Sequence, residues 1–123
     1  MIGPENRVAV YGTLKKHQSN HRLLADQRYL GRCKLREITL YDLGPYPGAR
    51  LKKSGGVVVE VYEVSDAVFE QLDDLEGFCA DSPAAGLYDR TRLNTPYGWA
   101  WVYLYNHTVC GCREIRFGGW PQR

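Results

Sequence analysis

A carboxylate on the oily side of a helix is the feature of this chain best suited to chemistry. Read as a helix, Ser65 to Gly77 aligns Val68, Phe69, Leu72 and Leu75 as one apolar stripe, at about 100° per residue. Glu76, one turn after Leu72 and two after Phe69, falls within that stripe. Glu70, Gln71 and Asp74 take the opposite, solvated side, with Asp73 at the border. Glu76 also occupies the last turn before Gly77, a C-terminal stop, where the helix dipole opposes a further negative charge. Apolar surroundings and the dipole both raise its pKa from about 4.3. That moves it towards the range in which a carboxyl group exchanges protons at neutral pH. The plainer reading is an acid solvated where the helix frays.

A second constellation is Tyr11-Gly12-Thr13-Leu14-Lys15 at the end of a β-branched run. A glycine there lets the backbone approach a ligand, and successive N–H groups can turn inward as an anion nest. The spacing is not that of a nucleotide phosphate loop, and a tight turn without a ligand fits it equally well. Glu60 is a second acid, on a strand. Cys110, Cys112 and His107 are a poor zinc set, because Cys-x-Cys is not the usual spacing and no second pair exists. No metal site and no cofactor is expected.

The elements that must position these groups follow from periodicity and breakers. Arg7 to Tyr11 reads as a strand breaking at Gly12, and Ser19 as the N-cap of a short helix from Asn20 to about Asp26. Tyr29 to Leu35 and Glu37 to Leu43 are strands. Gly44-Pro45-Tyr46-Pro47-Gly48 reads as a rigid aromatic loop, closed to any ladder by its prolines and glycines. Val57 to Val64 is the strongest strand, and Cys79 to Gly86 is loop-like. Tyr88 to Leu93 turns through Asn94-Thr95-Pro96-Tyr97-Gly98 into a return strand with Trp99, Trp101, Tyr103 and Tyr105 on one face. Short strands outnumber helices, which argues for an α+β domain on a curled, largely antiparallel or mixed sheet, open or closed as a β-barrel.

The 123 residues suit one domain, 1–123, with a core over about 7–106 and a tail at 107–123. Sixteen Lys and Arg against fourteen Asp and Glu, scattered rather than clustered, give no nucleic-acid footprint. No apolar stretch is long enough to span a bilayer, and the opening Met-Ile-Gly-Pro-Glu-Asn has no signal pattern. A cytoplasmic, monomeric protein with reduced thiols at Cys33, Cys79, Cys110 and Cys112 is expected.

Tyr11-Gly12-Thr13-Leu14-Lys15-Lys16 and Asn20-His21-x-Leu23-Leu24 resemble the opening of the γ-glutamylcyclotransferase-like superfamily. Gly56-x-Val58-x-Glu60-x-Tyr62-x-Val64, Leu72-Asp73-x-Leu75-Glu76-Gly77 and Tyr88-x-Arg90 continue the resemblance in order, to about residue 105. Leu40-Tyr41-x-Leu43-Gly44-x-Tyr46-Pro47-Gly48-Ala49 and Thr95-Pro96-Tyr97-Gly98-x-Ala100-Trp101 resemble its small bacterial YtfP-like branch. The resemblance implies a small mixed β-barrel flanked by short helices. It also implies an enzyme that cyclises a γ-glutamyl amine or amide to 5-oxoproline and frees the amine. Glu76 then matches the general acid/base, and Tyr11, Gly12, Thr13 and Leu14 match the loop that holds the glutamyl head. A substrate-facing tyrosine matches Tyr103 or Tyr105, with Tyr103 preferred. Since the substrate's own α-amine attacks its γ-carbonyl, the protein needs no Ser or Cys nucleophile. The stretch from Glu76 to Tyr88 is longer than in the compact γ-glutamylamine-specific relatives, implying a different rim and acceptor pocket. His21 and Arg90 read as structural, Arg90 pairing with an acid such as Glu60. The competing reading is a non-catalytic module that binds a small ligand or peptide on the same scaffold.

Overall fold

Valine alternation builds the centre of the molecule. The computed structural model describes residues 6–121, so Met1 to Glu5, read above for targeting, lie outside the described residues. Along the chain run β1 (Arg7–Val10), β2 (Arg28–Leu35), β3 (Ile38–Asp42), β4 (Pro47–Leu51) and β5 (Gly56–Glu63). Then come α1 (Asp66–Glu76), β6 (Tyr88–Thr95), β7 (Gly98–Tyr105), β8 (Arg113–Ile115) and β9 (Phe117–Gly118). Successive side chains of a strand point to opposite faces. Val57, Val59 and Val61 of β5 therefore join Ala9 on one face, while Tyr62 joins Val8 and Val10 on the other.

The strands form two sheets. The larger has the order β2-β5-β1-β7-β6, with β9 also against β5, and the smaller is β4-β3-β8. The β1–β7 and β5–β9 pairs are parallel and the rest antiparallel, a mixed arrangement. One core lies between the two sheets, where Leu35, Val57, Val59, Val61, Ala100 and Val102 meet Ile38, Leu40, Ala49 and Ile115. A second core lies under α1, where Leu72, Val68 and Phe69 cover Val8, Val10, Tyr62 and Tyr103. The α+β expectation holds, but no ladder among the described residues joins the two sheets into a closed barrel, because β2 and β6 remain edges.

Three local expectations change. The segment read as a ladder-free loop enters one at Pro47, which opens β4 opposite Asp42, with Gly48 opposite Tyr41. A proline is tolerated there because it is the first residue of an edge strand. The hairpin is closed by the Leu43 N–H to the Tyr46 carbonyl at 3.1 Å and by the Gly44 N–H to Asp42 Oδ1 at 2.9 Å. Second, the helix expected from Asn20 to about Asp26 is a single 3₁₀ turn, His21–Leu23, and Ser19 does not cap it. Two leucines are too few for an amphipathic stripe. The side chain of Asn20, at the cap position, instead donates to Thr13 Oγ1 at 2.9 Å. Third, the tail supplies β8 and β9, and Ile115 and Trp120 are buried in the core between the sheets, which therefore extends past residue 106.

α1 begins as expected. Ser65 Oγ accepts from the Val68 N–H at 3.1 Å, satisfying one of the donors that a helix start leaves unpaired. Ser65→Ala should therefore cost about 1 kcal/mol in urea unfolding. An unchanged midpoint would show that solvent replaces the cap.

Candidate active site

The helix end aims Glu76. Gly77 takes the left-handed conformation at φ 66°, and the Phe78 N–H returns to the Asp73 carbonyl at 2.9 Å. The Leu87 N–H then binds the Gly77 carbonyl at 3.0 Å, tying the helix end to the start of β6. Glu76 so placed lines a pocket of about 350 Å³. Tyr11, Gly12, Thr13, Leu14 and Tyr103 line the same pocket, so one cavity brings together Glu76, the head-group loop and the preferred tyrosine, while Glu60 and Tyr105 do not line it.

The Glu76 carboxyl is sunk into this wall, and the side chain keeps only partial contact with solvent. Burial pushes its pKa up to about 7. Desolvation penalises the charged form, and among the described residues no cation or hydrogen bond offsets it. The phenols of Tyr11, Tyr88 and Tyr103 are close enough to feel its charge. Burial raises all three first, and the Asp73 carboxylate raises Tyr103 further, so they stay protonated.

The turn after β1 lines the same pocket. It is closed by the Lys15 N–H to the Gly12 carbonyl at 3.0 Å and the Asn20 N–H to the Thr13 carbonyl at 2.8 Å. His21 Nδ1 lies 2.9 Å from the Leu14 carbonyl, so the proton sits on that nitrogen, because a carbonyl can only accept. Glu60 holds the turn from behind, accepting the Lys16 N–H and the Tyr62 hydroxyl, each at 2.9 Å. Among the described residues the Thr13 and Leu14 N–H groups meet no acceptor. Two unpaired donors beside a cavity suit a carboxylate or a developing oxyanion.

Gly12 has a packing reason as well. A Cβ there would lie 2.8 Å from Pro47 Cγ and 2.9 Å from Pro47 Cδ, so the turn rests directly on the β3–β4 hairpin. That hairpin adds Pro45, Tyr46 and Pro47 to the pocket wall.

Tyr11 lines the pocket, but its hydroxyl is committed elsewhere. It donates to the Tyr103 carbonyl at 2.7 Å and accepts the Ala49 N–H at 3.2 Å, linking β7 to β4 behind the cavity. Tyr11→Phe should leave both backbone groups unpaired in the core, costing about 2 kcal/mol or more. Guanidinium unfolding checks this, and a loss under about 0.5 kcal/mol would mean the sheets are not linked in this way.

Tyr103 is the substrate-side candidate of the aromatic wall. Its hydroxyl donates to Asp73 Oδ1 at 2.7 Å. Arg90 pairs with that oxygen at 3.2 Å, and not with Glu60 as expected. The contact is electrostatic, since Arg90 Nε is not aligned for a hydrogen bond. The guanidinium is packed by the rings of Phe69, Phe78 and Trp101 at 4.3–4.5 Å. Sequence reading missed the Asp73–Arg90 brace and Tyr88, whose hydroxyl reaches the Pro47 carbonyl at 2.7 Å. The register of the β6–β7 hairpin carries the signal. It sets Arg90 opposite Tyr103 and Tyr88 opposite Tyr105. Among the described residues no cluster of His, Cys, Asp or Glu could hold a metal ion, Cys110, Cys112 and His107 included.

Comparison with known proteins agrees with this architecture. The family model described as Gamma-glutamyl cyclotransferase, AIG2-like, matches residues 8–122. The family protein YtfP of Escherichia coli K12 is 37% identical over 117 residues, covering 95% of this chain and 97% of that one. The solution structure of the Escherichia coli protein superposes with a TM-score of 0.71 at 35% identity, covering 94% of this chain and 96% of that one. The Gamma-L-glutamyl-butirosin B gamma-glutamyl cyclotransferase of Niallia circulans is 33% identical over 120 residues, 92% of this chain and 74% of that protein. The crystal structure of PH0828 from Pyrococcus horikoshii gives a TM-score of 0.72 at 29% identity, covering 89% and 85%. A family match across nearly the whole chain, on a fold that gathers Glu76 and the turn after β1 around one pocket, identifies this chain as a cyclotransferase belonging to the γ-glutamyl cyclotransferase, AIG2-like family.

Proposed function

We propose that this protein cyclises a γ-glutamyl amine or amide to 5-oxoproline, releasing the amine, with Glu76 as general acid/base. The observation that carries this reading is a carboxyl group with a pKa of about 7 in the same pocket as the unpaired N–H groups of Thr13 and Leu14. The turn Gly12–Leu14 holds the glutamyl head by those donors, as the resemblance implies. Ionised Glu76 takes a proton from the α-ammonium, whose pKa lies above the value of about 8 for a chain terminus because its own carboxylate is free. The freed amine attacks the γ-carbonyl, closing the five-membered ring, and the γ C–N bond breaks. Glu76 then delivers its proton to the departing nitrogen, and the carboxylate so regenerated takes the second proton from the ring nitrogen as the lactam amide forms and passes it to the released amine. Ring closure is intramolecular, so holding the chain folded supplies much of the rate. Tyr103, braced by Asp73, fixes the substrate from the aromatic side.

The four cysteines are free thiols, which suits a cytoplasmic setting with a small γ-glutamyl substrate as partner. Among the described residues no helix is long and apolar enough to cross a membrane. The test is release of 5-oxoproline, followed chromatographically, from a panel of γ-glutamyl amines and amides. Calorimetric binding of the same compounds with no product formed would favour a binding module on this scaffold.

A further inference from the structure

If the glutamyl head lies in the Gly12–Leu14 turn and its γ-carbonyl at Glu76, as proposed above, the group on the departing nitrogen must lie towards the pocket mouth. Tyr46 from the β3–β4 hairpin, Leu75 of α1 and Leu87 ahead of β6 line this pocket and are all exposed, at 37%, 41% and 36%. Each comes from a different element, and none is needed to fill a core. Leu75 was expected on the buried stripe of α1. Three large apolar side chains uncovered at one opening form a surface for an apolar ligand group.

The electrostatics of the same opening are as one-sided. Among the described residues lining the pocket, Glu76 is the only charged side chain, and no Lys or Arg lines it. A departing amine with its own carboxylate, such as an α-amino acid, would bring a second negative charge beside Glu76 with nothing to offset it. A departing amine with a second ammonium would pair with Glu76 itself. That pairing would hold the carboxylate ionised and lower the pKa on which proton exchange depends. A neutral apolar substituent meets neither penalty and covers the exposed rim.

We infer that the amine released by this protein carries a neutral branched-alkyl or aryl group, seated against Tyr46, Leu75 and Leu87. This rests on the cyclotransferase reading, so binding and turnover are measured separately. Binding uses the wild-type protein and three glutaryl amides, of isoamylamine, glycine and 1,4-diaminobutane, which lack the α-amine and cannot cyclise. Turnover uses the corresponding γ-glutamyl amides. The isoamyl compound should bind, and be converted, about 10-fold or more better than either charged one. Tighter or equal binding of a charged amide overturns the inference, whatever the turnover. If the isoamyl compound binds best but no 5-oxoproline forms from any of the three, the mouth assignment stands and the cyclisation reading fails. The double variant Leu75→Ser/Leu87→Ser should erase the isoamyl preference and leave the affinity for the glycine amide unchanged. A preference that survives intact overturns the assignment. Both positions are exposed, and should the double variant unfold, Tyr46→Ser gives the same reading from the hairpin side.

Discussion

Glu76→Gln should lower the rate of 5-oxoproline release by about 10²–10⁴-fold, the usual contribution of a positioned acid/base group, and should stabilise the protein at pH 8. The two effects share one cause, the burial that sets the Glu76 pKa at about 7. In the unfolded chain the same carboxyl ionises near 4.5. Between these values the folded state keeps a proton that the unfolded state has released, so this contribution is fully present below about 4.5 and is lost as pH rises through about 7. The loss is at most about 3 kcal/mol. Glutamine cannot ionise, so the variant lacks this pH dependence, and its melting temperature at pH 8 should exceed that of the wild type. The wild-type pH profile should be a bell. Its rising limb near 7 marks ionisation of Glu76, and its falling limb, above about 8, marks loss of the substrate's α-ammonium proton. Melts from pH 4 to 9, with initial rates over the same range, test both halves. Full activity in the variant removes Glu76 from the chemistry. An unchanged stability gap across the range removes the raised pKa.

What was legible in the sequence was local. The stripe Val68, Phe69, Leu72 and the stop at Gly77 place Glu76 without any knowledge of the rest of the chain, because a helix fixes its own faces. The valines of β5 and the turn before Gly98 likewise declare their strands. Hidden features depend on partners far away in sequence. Pro47 reads as a breaker until β3 supplies the other side of an edge ladder. β8 and β9 are too short to announce themselves, and their order comes from pairing with β3 and β5. The resemblance makes Tyr11 part of the head-group loop, yet its hydroxyl reaches backbone groups 38 and 92 positions away. The Asp73–Arg90 brace needs both the helix border and the hairpin register before the two residues meet. The pocket is thus a junction of locally readable pieces, and what the sequence hides is the scaffolding that holds them at one distance.

Gly12→Ala tests that scaffolding. The glycine was first a matter of letting a ligand approach, but the added methyl would meet the Pro47 ring at 2.8 Å and 2.9 Å before any substrate arrived. A proline ring cannot rotate aside as a long side chain can, so either the turn or the β3–β4 hairpin must shift. Overpacking of this kind costs about 1–3 kcal/mol. The larger consequence is geometric, because Thr13 and Leu14 follow Gly12 directly and line the same cavity as Glu76. A displacement near 1 Å between head-group donors and acid/base should lower kcat/KM by about 10²-fold. Pro47→Ala removes the two atoms that the methyl meets and keeps the carbonyl that accepts from Tyr88. The Gly12→Ala/Pro47→Ala double variant should therefore recover much of the lost activity, and a double-mutant cycle should show favourable coupling of about 1 kcal/mol or more. Additive losses would mean that the glycine is needed for substrate approach alone, and that the hairpin takes no part in setting the distance across the pocket.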